Sequence, residues 1–142
     1  MNSRFFIPVL IGLFCLTSSV TANADTALEI SMKQMSKAYK ELALDLQQPL
    51  DANKSDYLAL TGTLKTSAQT ARGLVPKKAA ALPPDQQAVM VTAYQKSMDN
   101  LVQSIDGLTQ AIQNSQWDDA RKIMADIKQQ MMDGHKAFRA KE

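Results

Sequence analysis

The chain has one cysteine, one histidine, one tryptophan and five glycines in 142 residues. One Cys makes no intramolecular disulfide and supplies no four-thiolate zinc or iron–sulfur centre. One His excludes every site that needs two, H-E-x-x-H among them. Excess charge of one sign is also lacking. Sixteen Lys plus Arg stand against 14 Asp plus Glu, a net charge of +2, so the basic signature of a nucleic-acid binder is missing. The longest apolar run, Phe5 to Leu16, is 12 residues, too short to span a bilayer. No repeat, low-complexity tract or strand-like alternation is visible, and the length suits one domain.

That apolar run belongs to a segment that reads as a cleavable export signal. Arg4 supplies the basic start, Phe5–Leu16 the hydrophobic stretch, and Ala22-Asn23-Ala24 a small-residue cleavage site. Cys15 follows Phe14, a poor fit to a lipoprotein cleavage box, so lipidation is not expected. Residues 1–24 are therefore a cleaved signal peptide and residues 25–142 the mature domain, of periplasmic location. Cleavage leaves 118 residues with 15 basic and 14 acidic side chains and no Cys. Such a domain must be held by its core or by a ligand rather than by disulfides.

What the mature chain has in abundance is helical periodicity. Leu28, Met32, Met35, Tyr39, Leu42 and Leu46 are spaced 4, 3, 4, 3, 4, the stripe of a bundle helix over about Thr26–Gln47. Thr26 with Glu29 fits a capping box, and Pro49 closes the segment. A second helix over about Ser55–Arg72 carries Tyr57, Leu60, Leu64, Ala68 and Ala71, with Ser55 as N-cap. Gly62 and four threonines weaken it by propensity. The third begins after Pro83-Pro84 and runs to about Gln113 on Val91, Tyr94, Met98, Leu101, Ile105, Leu108 and Ile112. The fourth begins near Ser115, its expected N-cap, and carries Ala120, Met124, Ile127, Met131, Gly134/His135 and Phe138. Asp118 and Asp119 place negative charge at its positive end. The links at Gln48–Lys54 and Asn114-Ser115 are short, which forces antiparallel neighbours. Gly73–Pro84 is longer and adds no strand. The fold class is all-α: an antiparallel up-down-up-down four-helix bundle.

In that topology the start of the first helix and the end of the fourth share one end. Met32 lies about six residues, or roughly 9 Å, into the first helix. His135 lies seven residues before the C-terminus, at similar depth. Both belong to inward stripes. An imidazole and a thioether are the axial pair of six-coordinate, electron-transferring haem iron. Spacing alone leaves the plainer alternative open, that Met32 fills the core and His135 is an ordinary helix residue. No nucleophile–base pair or paired carboxylates stand out, so no catalytic residue is assigned and no enzyme is expected.

Several stretches resemble the soluble cytochrome b562 family. Leu28-Glu29-Ile30-Ser31-Met32 is similar to that family's Leu-Glu-x-x-Met, His135-Lys136-Ala137-Phe138-Arg139 to its closing His-x-x-aromatic-Arg, and Asp99–Asp106 to its third helix. The resemblance covers the mature chain, loosely over Asp51–Met90. It implies an up-down-up-down bundle and a monomeric periplasmic electron carrier with one non-covalent haem b. Met32 and His135 would be the axial iron ligands, with Met35 as competing sulfur. Arg139 could contact a propionate. A redox partner protein is implied but not identified, and neither nucleic acid nor, after cleavage, membrane is an expected partner. With no C-x-x-C-H, c-type attachment is excluded. Gly134 stands where the family has an aromatic residue, and Met131 where it has a basic one. The alternative is a haem-free bundle of the same fold with a binding or structural role.

Overall fold

In the computed structural model, residues 20–140 are described. The signal-peptide reading of residues 1–24 falls almost wholly outside them; only the backbone of its last five residues is covered, as part of a helix. The elements in order are α1 (Val20–Asp45), a single 3-10 turn (Asp51–Asn53), α2 (Lys54–Arg72), a one-turn α3 (Lys77–Ala80), α4 (Pro84–Gln113) and α5 (Trp117–Phe138). Among the described residues there is no strand, and no helix is long and apolar enough to cross a membrane.

The four long helices form the expected bundle. α1 packs on α2, α2 on α4 and α4 on α5. The predicted stripes supply the core: Leu42, Leu46, Leu64, Ala68, Ala71, Ile105, Leu108, Ile112, Ala120 and Ile127 are all buried. Three hydroxyl residues that the apolar stripes passed over, Ser31, Thr61 and Ser67, are buried as well. Thr61 Oγ1 satisfies itself by donating to the Leu58 carbonyl at 2.9 Å, so it costs the core little.

The helix ends differ from expectation in three places. α1 is already helical from Val20, which places Thr26 inside the helix rather than at a cap. Glu29 instead pairs with Lys77. α2 starts one residue early, with Asn53 at its N-cap and no side-chain capping bond, because the 3-10 turn feeds directly into it. Ser115 is not the cap of α5 either. It adopts a left-handed backbone, φ 54°, and its Oγ donates to Asp51 Oδ1 at 2.6 Å, tying the α4–α5 turn to the α1–α2 link. Gln116 takes the N-cap position. The caps at Pro83-Pro84 and the acidic first turn of α5 are as the sequence indicates.

The two ends of the bundle are built differently. At the Asp51/Ser115 end, Trp117 meets Tyr57 edge to face at 6.0 Å, and Arg121 Nη1 donates to the Leu46 carbonyl at 3.1 Å. Midway, the Tyr39 hydroxyl reaches across from α1 to the Met124 carbonyl of α5 at 3.2 Å. Towards the opposite end, α1 and α5 are not drawn together in this way, and their backbones approach less closely than those of the successive pairs. A pocket opens there.

Candidate cofactor pocket

The pocket has a volume of about 500 Å³, within the usual range for small-molecule and cofactor sites. It lies between the middle of α1, the middle of α4 and the end of α5, with Pro76 and Lys77 of the α2–α4 link at its edge. α1 contributes Leu28, Met32 and Met35; α4 contributes Tyr94, Met98 and Leu101; α5 contributes Met131, Gly134, His135 and Phe138. Most of these are stripe residues of the bundle. They line a space here because the bundle core ends at this depth and no larger side chain fills it.

The sequence-predicted site residues are brought together. Met32 and His135 line the pocket from α1 and α5, and Arg139 and the competing sulfur Met35 line it too. Their burial differs. Met35 is 2% exposed, Met32 half-buried and His135 exposed. His135 is therefore less inward than its stripe indicates, standing at the mouth rather than in the core. Of the stripe residues, Phe138 lines the pocket, whereas Tyr39, Leu42 and Leu64 do not.

Gly134 explains part of the space. A Cβ built at this position would meet nothing within 4 Å. The glycine thus leaves room in the wall one residue before His135, where a side chain would project into the opening.

Charge gathers at the rim. Lys33, Lys77 and Arg139 line the pocket against a single carboxylate, Glu29. α3, a helix the sequence did not reveal, carries two of the contacts that frame this rim. Lys77 Nζ lies 3.3 Å from Glu29 Oε1 on α1, while Lys78 Nζ donates to the Ala137 carbonyl on α5 at 2.6 Å. Adjacent lysines thus reach the two helices that bear Met32 and His135. The strap is seated by Pro76 and Ala79, both buried.

The far wall is held by Tyr94, which the sequence marked only as a stripe residue. Its hydroxyl donates to the Ala71 carbonyl at 2.8 Å, and burial pushes its pKa up to about 12. Gln130 adds a polar seam. Its Nε2 donates to Ser104 Oγ at 2.8 Å, and its Oε1 is buried without a protein partner among the described residues. The up-down topology places Tyr94 at this end, so its position could have been inferred from the sequence. The links and seam formed by Lys77 and Gln130 have no comparable periodic signal.

The residues present fit a haem. An imidazole and thioethers face one space from opposing helices, the walls are largely apolar, and the cations at the rim suit carboxylate groups. Among the described residues no group of three His, Cys, Asp or Glu is placed to hold a metal ion.

Comparison with known proteins is consistent with that chemistry. A family model described as cytochrome b562 matches residues 27–139. No curated protein and no solved structure matches the chain. The matched span takes in every lining residue of the pocket except Ala140, and the chain belongs to the cytochrome b562 family, a family of b-type haem electron carriers.

Proposed function

We propose that this protein is an exported electron carrier that holds one non-covalent haem b between α1 and α5, with His135 and Met32 as the axial ligands. The observation that supports this most is the sharing of one pocket by the only His and by Met32, from opposing helices. A haem held there by His135 and Met32 would supply one-electron redox chemistry, which suits electron exchange over oxygen activation. The protein residues hold and shield it. His135 donates its imidazole nitrogen from the mouth, Met32 its soft sulfur from the opposite wall, and Leu28, Leu101 and Phe138 exclude water. Arg139 and Lys33 stand where propionates would emerge. Residues 1–24 carry the export signal, which places the carrier in the periplasm, where a monomer would meet its redox partner.

The test is spectroscopic. Purified protein reconstituted with haem should take up one equivalent and give a sharp low-spin spectrum on reduction. Met32→Ala and His135→Ala should each convert it to a high-spin spectrum. Low-spin spectra retained in both variants would overturn the assignment. Retention in Met32→Ala with loss in Met35→Ala would move the sulfur ligand to Met35. Absence of haem uptake would leave a haem-free bundle.

A further inference from the structure

The same pocket holds more sulfur than a haem can use. Met32, Met35, Met98 and Met131 all line it, together with His135. Two pairs are set at chelating spacing on their own helices. Met32 and Met35 are three residues apart on α1, and Met131 and His135 four apart on α5, separations that bring side chains onto one helical face. The pairs lie on opposing walls, and Met98 joins them from α4. A haem takes one ligand from each side, leaving three thioethers without a role beyond packing.

We infer that the haem-free protein binds one cuprous ion in this pocket, through the thioethers of Met32 and Met35 from α1 and the Met131–His135 pair from α5. Thioethers are soft, uncharged donors that select Cu(I) over the harder divalent ions. Met is also unbranched and adaptable, so the three thioethers can turn towards an ion that His135 shares with them. The carboxylates and thiolates that Zn²⁺, Mg²⁺ or Ca²⁺ would demand are not grouped anywhere among the described residues. Cu(I) and haem would exclude one another, because both take Met32 and His135. The inference does not depend on haem binding; it depends on the donors sharing one space.

The probe is Cu(I) supplied as its bicinchoninate complex under anaerobic, reducing conditions. The haem-free protein should withdraw one equivalent, whereas protein preloaded with haem should withdraw none and Zn²⁺ should not compete. Met35→Leu and Met131→Leu preserve volume and should each weaken Cu(I) binding by about tenfold or more, since losing even a supporting contact to a metal ligand costs about that much. Met132→Leu, at a methionine that is 56% exposed and outside the pocket, should change nothing. Circular dichroism on each variant separates loss of the site from loss of the fold. The inference is overturned if no Cu(I) leaves bicinchoninate, if haem-loaded protein takes as much, or if Met35→Leu and Met131→Leu bind like the parent. Haem uptake scored on the same preparations tells failure here apart from failure of the electron-carrier reading.

Discussion

Phe138, in the last turn of α5, meets Tyr94 of α4 edge to face, with ring centroids 5.3 Å apart and planes at 76°. Both rings line the pocket, and His135 lies three residues before Phe138, so this contact sets where the last turn of α5 sits. Edge-to-face pairs contribute roughly 0.5–1.5 kcal/mol beyond the area they bury. Phe138→Ala also loses the packing of a half-buried ring. It should cost about 2 kcal/mol in urea unfolding, below the usual figure for a fully buried Phe. Haem affinity should fall as well, because the His-bearing turn is freed. A variant with unchanged haem affinity would show that α5 is positioned without this ring.

Tyr94 allows a prediction about pH. Its hydroxyl is buried against the Ala71 carbonyl, and burial raises its pKa from 10.0 to about 12. The unfolded chain therefore ionises first as pH rises. Between about pH 10 and 12 the folded state retains the proton that the unfolded state has lost, so stability falls across that window; below it Tyr94 gives no slope. Burial raises Tyr39 in the same direction. Tyr94→Phe should cost about 1 kcal/mol at neutral pH for the lost hydrogen bond and remove the larger share of the alkaline decline. Urea melts of parent and variant at pH 8 and pH 11 decide this. Equal loss of stability in both would assign the decline to other groups.

The strap of Lys77 and Lys78 should matter more for release than for stability. The Lys77–Glu29 pair is more than half exposed on both sides, and pairs of that kind contribute little. Lys77→Met should shift Tm by less than about 2 °C. Lys78→Met removes the donor to the Ala137 carbonyl and should speed amide exchange in the last turn of α5, including the Arg139 N–H that bonds the His135 carbonyl. Haem transfer to an acceptor protein should be several-fold faster in the double variant. An unchanged rate would mean that the strap does not limit exit.

The bundle was legible in the sequence because its core repeats. Leu42, Leu46, Ile105 and Ile112 are buried where the 3–4 spacing places them. Met32 and His135 could be matched from topology alone, since four antiparallel helices bring the first and last ends together. Features fixed by single tertiary contacts were not legible. Ser55 and Ser115 have good capping chemistry, yet neither caps. At Ser115 the deciding contact is a carboxylate 64 residues away in sequence, Asp51. α3 is four residues long, too short to show a period. The exposure of His135 also escaped, because a stripe defines a face of the helix but not where the neighbouring helix stops covering it.

Gly134 separates the needs of the fold from those of the pocket. It lies inside α5, where glycine costs about 1 kcal/mol relative to alanine, and a Cβ there would touch nothing within 4 Å. For the haem-free protein, Gly134→Ala should therefore be purely favourable. Near a fraying end the gain should be about 0.5 kcal/mol, or about 2 °C in Tm. A large side chain acts differently. Gly134→Phe keeps the helix but projects a ring into the opening beside His135, where it would either wall the bound macrocycle or displace it. Melting the haem-free variants first and then titrating them with haem separates the two effects. Both should be at least as stable as the parent without haem. If the space is needed by the cofactor, Gly134→Ala should retain haem and Gly134→Phe should lose affinity by tenfold or more, about 1.4 kcal/mol. Equal or tighter haem binding by Gly134→Phe would show instead that the pocket is larger than its cofactor requires and that an aromatic wall improves it.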